Sequence, residues 1–363
     1  MKLQVTQENF NHALSAVARI ADTHGTLPIL ANVLIKAAKN RLSVAATNLN
    51  IGITVFIGAK IEAEGEITVP AALLASFISS LPSGVIQLEL EDKKLKIKTD
   101  QYKSNINGIS AEDFPVMPAI EGGQSIEVKA ADLKRALQQV AFAASPTGSR
   151  PALSGVYFST SSSSLYVAAT DGSRLAEKTI SMKTPNLSML VPASAMNDLL
   201  RIITDDTDKV KITVNEQQAL FSFGDAELVT RLIDSAYPNY KPLIPTKSTT
   251  SASLKRADLL NIVKVSSLFA RETGGSITIE VSEEDQNVQI KSLASQLGEN
   301  NAVATAKVAG SGTITLNSRY LIDGINAFSG EDINFTFNTK LEPVLLSDSK
   351  DHSYVHVIMP LKS

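Results

Sequence analysis

Asp171, Ser173 and Arg174 stand within four residues of one another in the run Ala168-Ala169-Thr170-Asp171-Gly172-Ser173-Arg174-Leu175-Ala176. A carboxylate, a hydroxyl and a guanidinium this close could serve acyl transfer, but a serine nucleophile needs a base and no histidine lies nearby in the sequence. The four histidines are His12, His24, His352 and His356. His352 and His356 fall at i and i+4 of an expected strand and so face the same way, but none of the four shows metal-ligand spacing. Cysteine is absent, which excludes disulfides, thiolate metal sites and cysteine nucleophiles. No glycine-rich loop precedes a helix, since Gly310-Ser311-Gly312 lies between strands and Gly122-Gly123 at a boundary. We therefore expect no enzyme, no cofactor and no metal. What remains at Asp171-Gly172 is a turn signal, a pair suited to positive φ after an apolar run.

The turn is not unique. Ala45-Ala46-Thr47-Asn48-Leu49-Asn50 is an earlier copy lacking the glycine and the arginine, and Thr170 follows Thr47 by 123 positions. Leu153 follows Leu30, and Tyr237-Pro238 follows Phe114-Pro115, at the same offset of 123, while Val191-Pro192-Ala193 follows Val69-Pro70-Ala71 at 122. Leu316-Asn317-Ser318 continues the last series weakly. One period therefore fits separate markers, the mark of a repeated unit.

Each unit opens with an alternating strand and an amphipathic helix, expected at about 7–20, 131–144 and 257–270. In the second, Leu133, Leu137, Val140 and Ala141 make one apolar stripe. Hairpins follow, Asn32 to Ala38 with Arg41 to Thr47, and Gly155 to Thr160 with Leu165 to Thr170 across a serine tip. Second helices are expected at 70–81, 192–203 and 317–328, the first two with proline in the opening turn. Two helices backed by about eight short strands make an α+β unit. Boundaries fall in small, polar stretches, giving domains 1–122, 123–247 and 248–363. Three such units suggest an arc, each covering its neighbour's sheet edge, and a head-to-tail homodimer would leave no edge free.

The chain has 363 residues, 44% hydrophobic and 20% charged, with a formal charge of −3, which argues for a folded protein and against one that wraps nucleic acid over its whole surface. Nothing resembles a secretion signal or a membrane span, so a cytoplasmic location is expected.

These motifs resemble the beta sliding clamps of bacterial DNA polymerase III. The resemblance covers all three repeats and rests on Thr26-Leu27-Pro28-Ile29-Leu30, Ala111-Glu112-Asp113-Phe114-Pro115, the run from Ala169 to Ala176, Leu232-Ile233-Asp234 with Tyr237-Pro238-Asn239-Tyr240, and the terminal Val357-Ile358-Met359-Pro360-Leu361. It implies a threefold repeated DNA-clamp fold forming half of a ring, with helices inward and sheets outward. The head-to-tail dimer would encircle double-stranded DNA without sequence preference and tether the replicative polymerase, while a separate clamp loader opens it. A peptide scaffold that does not encircle DNA is the alternative.

The family's peptide groove falls here on Leu153, Thr170, Gly172, Arg174, Leu175, Pro238, Pro242, Leu243, Asn317, Tyr320, Leu341, Pro343, Val357, Ile358, Met359, Pro360 and Leu361. Ser173 and Pro242 depart from the family pattern at its polar rim. Candidate DNA-facing residues are Arg19, His24, Lys134, Arg135, Arg150, Arg201, Lys264, Arg271 and Arg319, with His24 in a place where arginine is common. Counted with the bases that flank the fifth helix, from Lys255 to Arg271, the six expected helices sum to a formal charge of +4 against −3 for the chain, the sign a lumen around phosphates requires. Ile106, Leu268 and Phe269 match the dimer seam and are apolar, as an obligate contact favours.

Overall fold

Alternating apolar residues put most of this chain into antiparallel strands, because every second side chain falls on one face of a sheet. The computed structural model describes residues 1–21, 27–39, 41–117, 120, 122–146, 150–161, 163–294 and 298–361. Two compact units emerge, one of Met1–Leu133 with Asp198–Leu232, the other of Lys134–Asn197 with Ile233–Ser363.

In the first unit, a five-stranded sheet runs in the order Lys60–Ala63, Lys2–Thr6, Val85–Glu91, Lys94–Lys98, Lys103–Asn107. An eight-stranded sheet sets Gln124–Lys129, Lys209–Val214, Gln218–Phe223 and Ala226–Arg231 beside Ile51–Gly58, Arg41–Thr47, Asn32–Ala38 and Gly65–Pro70. Second-repeat and first-repeat strands meet where Ala226 lies opposite Val55 and Thr230 opposite Ile51. Helices α1 (Gln7–Val17) and α2 (Ala71–Ser79) pack on each other and bury Phe10, Leu14, Val17, Leu74 and Ile78.

The second unit repeats the device. Its nine-stranded sheet runs Ser188–Pro192, Gly155–Ser161, Ser164–Thr170, Arg174–Ser181, Tyr354–Ile358, Val344–Ser347, Asp332–Phe337, Thr250–Lys255, Lys307–Ala309. Here second-repeat and third-repeat strands meet with Arg174 opposite Ile358 and Lys178 opposite Tyr354. A four-stranded sheet follows the order Gly298–Thr305, Asn287–Ala294, Ser276–Ser282, Gly312–Asn317. The remaining helices are α3 (Ala130–Val140), α4 (Ala193–Ile202), α5 (Arg256–Phe269) and α6 (Ser318–Ala327). Each repeat thus has two helices, with nine, eight and nine strands in chain order among the described residues.

The second helix of each repeat starts one position later than expected, for a physical reason. Pro70 and Pro192 end edge strands and precede α2 and α4 rather than opening them. At a sheet edge the missing N–H of proline costs no ladder bond. Asn317 caps α6 instead, its side-chain oxygen accepting from the N–H groups of Arg319 and Tyr320.

The two copies of the turn share one architecture. Thr170 Oγ1 donates to the Arg174 carbonyl at 2.6 Å and Asp171 Oδ1 accepts from the Ser173 and Arg174 N–H groups. Thr47 Oγ1 likewise donates to the Ile51 carbonyl at 2.9 Å, and Asn48 Oδ1 accepts from Asn50 and Ile51. Gly172 has φ +91°, and Leu49 occupies the equivalent place at φ +73° with its side chain largely exposed. A β-carbon is strained there, so the first copy carries a cost the second avoids. Leu49→Gly should therefore raise stability by roughly 0.5–1 kcal/mol, and Gly172→Ala should lower it by about 1 kcal/mol. Urea midpoints moving in those opposite directions are the expected outcome.

Candidate functional site

The turn at 170–174 is held by a buried arginine. Arg174 is 9% exposed, and its Nε donates to Asp171 Oδ2 at 3.1 Å, Nη1 to Asp323 Oδ2 at 2.6 Å and Nη2 to the Phe142 carbonyl at 2.8 Å. Its plane also lies over Tyr320, 4.6 Å from the ring centroid, and 5.3 Å from that of Phe142. Only a guanidinium offers that fork and a flat face together. Arg174 therefore bolts the second-repeat turn to α6 from beneath, rather than presenting its charge to a ligand.

On the opposite face of the nine-stranded sheet, Ala168, Leu175 and Val357 form a buried cluster with Tyr240, and Tyr157, Tyr237, Ile244 and Leu345 pack against it. The connecting segment 233–249 is thereby laid across the sheet. Tyr237 stacks on Tyr157 at 4.6 Å and meets Tyr240 edge-on at 6.0 Å. Glu177, 6% exposed, accepts from the Tyr240 hydroxyl at 2.5 Å and pairs with Lys241 Nζ at 2.6 Å, while that ammonium sits 3.8 Å from the Tyr166 ring centroid. Burial first, and the Glu177 carboxylate second, push the Tyr240 hydroxyl well above its ordinary pKa, so it stays a hydrogen-bond donor.

The expected groove residues separate into a covered floor and an open surface. Leu153, Thr170, Leu175, Val357 and Ile358 are buried, and Ile358, at 0% exposure, neighbours Val357 on the strand and so faces the other side of the sheet. Pro238, Pro242, Leu243, Leu341 and Gly172 are exposed, and Asn317, Tyr320, Pro343, Met359, Pro360 and Leu361 are half-buried. Leu243 and Leu341 expose 53% and 63% of their surface, more than a monomer's core residues would. The terminal segment is fastened on both sides, the Met359 N–H donating to the Ser173 carbonyl at 2.8 Å and the Leu361 N–H to the Thr315 carbonyl at 2.9 Å. This arrangement has the chemistry of a trough for an extended apolar peptide: stiff proline rings, open leucines and an adaptable methionine.

Among the expected DNA-facing residues, Arg19 and Arg201 share a cleft of about 350 Å³ with His12 and Asp198. Arg201 Nη1 pairs with Asp198 Oδ1 at 2.8 Å, and burial raises the pKa of that carboxyl. Arg135, Lys264, Arg271 and Arg319 are exposed and Lys134 is half-buried. Arg150 precedes the short turn Pro151–Ser154, and its Nη1 would lie 3.8 Å from a β-carbon at Gly172, beside Leu153. His24 lies outside the described residues. Of the expected seam residues, Leu268 is exposed and Phe269 half-buried at the end of α5, while Ile106 is 6% exposed on strand Lys103–Asn107. Sequence reasoning overlooked Phe142, Asp323, Glu177 and Tyr166, whose roles depend on contacts across 32, 149, 63 and 75 positions to Arg174, Arg174, Tyr240 and Lys241. Only the Tyr237/Tyr240 pair, inside a quoted motif, offered a signal.

His352 and His356 do not act together. His352 is exposed in the turn before strand Tyr354–Ile358, whereas His356 is fully buried on it. The His356 ring packs against Phe142 at 5.6 Å, and its Nδ1 lies 3.4 Å from the Tyr354 hydroxyl. A β-carbon at Gly324 would come within 2.5 Å of His356 Cδ2, so only glycine lets α6 approach. Burial first, and the Arg174 charge second, lower its pKa to about 3.

Comparison with known proteins gives a consistent picture. The family profile for the N-terminal domain of the DNA polymerase III beta subunit matches residues 1–118, that for the central domain 127–239 and that for the C-terminal domain 241–362. The curated beta sliding clamp of Synechocystis sp. is 30% identical, covering 100% of this chain and 99% of its own length, and that of Bacillus subtilis is 26% identical with 100% of both covered. The crystal structure of the DNA polymerase sliding clamp from Bacillus subtilis has a TM-score of 0.95 at 25% identity, covering 100% of this chain and 99% of that one. The beta subunit structure from Thermotoga maritima, at 23% identity and the same coverage, shares the fold with a TM-score of 0.93.

The neutral His356 makes stability pH-dependent in a defined window. Its folded pKa lies below the unfolded one, so the unfolded chain takes up a proton that the folded chain refuses, and stability present above pH ~6.5 is lost as pH falls towards the folded value. Between pH ~5.5 and ~4 the group should contribute a slope of about 1.4 kcal/mol per pH unit. Urea titrations of His356→Gln should show a shallower pH dependence there than the parent. Parallel slopes would mean His356 accepts a proton in the folded state.

Proposed function

We propose that this chain, which belongs to the DNA polymerase III beta subunit family, works as the sliding clamp of a replication machinery: a non-catalytic processivity factor that keeps a polymerase on its template. In this function two copies join head to tail, and their six repeats, divided at 1–122, 123–247 and 248–363, encircle duplex DNA. The enclosed duplex touches Arg19, Lys134, Arg135, Arg201, Lys264, Arg271 and Arg319 through its phosphates, which allows sliding because phosphate contacts carry no sequence information. The groove around Gly172, Leu243, Leu341 and Met359 takes a short extended peptide from the replicative polymerase, the loader and other clients in turn.

The open apolar surface over a buried floor supports the groove most directly. The sheet edges support the dimer: Lys103–Asn107 ends one sheet and Gly298–Thr305 ends another, each with one side lacking a strand partner among the described residues. Leu293, Val303, Val265 and Leu268 are exposed on strands and a helix of the same part of the third repeat. Unpaired edge backbone flanked by apolar side chains favours strand addition from another copy. No helix of the described residues is long and apolar enough to cross a membrane. We place the protein in the cytoplasm, where its template is.

Two outcomes follow. Loaded onto nicked circular DNA, the protein should be retained at high salt and lost when the circle is linearised, and joint charge reversal at Lys134, Arg135 and Lys264 should reduce that retention. Equal loss from circular and linear DNA would contradict encirclement. Leu243→Asp with Met359→Asp should weaken binding of a leucine- and phenylalanine-anchored peptide at least tenfold, since a few anchors carry most of the affinity, while leaving the dimer mass in ultracentrifugation unchanged.

A further inference from the structure

A second depression lies beside the groove floor. It encloses about 400 Å³ and is lined by Lys247, Lys307, Ser251, Ser253, Asn334 and Ser347, with no carboxylate among its described lining residues. Neither lysine has an ion-pair partner among the described residues, although the nearby chain is held firmly. Asn338 donates to the Lys247 carbonyl at 3.2 Å and accepts from the Thr249 N–H at 3.0 Å.

The sheet register joins this cleft to the groove. Ser251 lies opposite Thr336, Thr336 opposite Leu345, Leu345 opposite Val357 and Val357 opposite Leu175, so one straight row of side chains on one face runs from the cleft to the floor. The adjacent row sets Lys307 opposite Ser253, Ser253 opposite Asn334 and Asn334 opposite Ser347. Leu345 belongs to both places, lining the cleft and packing on the buried cluster with Tyr240.

We infer that this cleft is an anionic extension of the peptide groove, which receives an aspartate or glutamate side chain of the same client peptide whose apolar anchors sit on the open residues above the Leu175 and Val357 floor. The inference rests on the groove proposed above. Two uncompensated ammonium groups amid hydroxyl and amide side chains suit a carboxylate, which only accepts hydrogen bonds. Ser251 stands three strand spacings, or about 14 Å, from Val357 and four, or about 19 Å, from Leu175. An extended peptide covers those distances in about four to six residues, which sets where the acid must fall.

The test titrates the full-length protein with fluorescent peptides sharing the same leucine and phenylalanine anchors. One carries two aspartates four to six residues from the anchors, placed at each end in turn, and the other carries asparagines there. At low salt the acidic peptide should bind about three- to tenfold more tightly in one of the two orientations. Lys247→Gln with Lys307→Gln should abolish the difference without changing the affinity for the asparagine peptide. If the asparagine peptide binds and aspartate adds nothing, or the preference survives the substitutions, the cleft is not an anionic extension and the groove still stands. If neither peptide binds, the groove fails and the cleft with it. A short DNA duplex whose binding weakens with the same two substitutions would make the cleft a phosphate contact and overturn the proposal.

Discussion

A β-strand at the edge of a sheet exposes N–H and C=O groups that must find partners, and this constraint organises the whole chain. No repeat here closes its own sheets. The first repeat's strand Ile51–Gly58 is covered by Ala226–Arg231 of the second, and the second repeat's Arg174–Ser181 by Tyr354–Ile358 of the third. In both junctions the covered strand directly follows a Thr-Asx turn. The junction is thus a reused part, and among the described residues the outer repeats keep uncovered edges, Lys103–Asn107 in the first and Gly298–Thr305 in the third among them.

Reuse allows specialisation, and the second junction shows how it arises. Its turn has glycine where the first has a strained leucine, and arginine where the first has isoleucine. The arginine fixes the turn to α6 through three hydrogen bonds and two aromatic faces, with charge-assisted geometry that tolerates burial. On the other face, Glu177 holds Tyr240 and Lys241 and so lays the connecting segment over Leu175 and Val357. One face supplies rigidity and the other supplies a supported apolar surface. A binding site gains from both, because a preorganised trough does not have to be ordered when the peptide arrives.

Most of the architecture was legible in the residue order. The 123-residue offset, the hairpins at 32–47 and 155–170 and all six helices follow from periodicity and turn chemistry, since those signals are local. Local motifs drew attention to Met359, which lies inside one, and to Leu243, three residues past another, whereas Leu341 lies in none. What escaped was set by long-range packing. Nothing local to Arg174 predicts that Phe142 and Asp323 consume its donors, or that Leu175 and Val357 serve as floor rather than contact surface. Nor does anything local to Arg150 show that the short turn after it sets its side chain towards Gly172. The helix starts at Pro70 and Pro192 slipped by one position because an edge strand tolerates proline as readily as a first helical turn does.

The claim that edge strands recruit a second copy is tested most directly by amide hydrogen exchange across a dilution series. The account predicts that the amides of 103–107 and 298–305 are protected at high protein concentration and lose protection together as the mass falls to that of one chain, while the strands of the internal junctions stay protected throughout. Rapid exchange at both edges in a species of dimer mass would contradict it, because the two copies would then meet through some other surface.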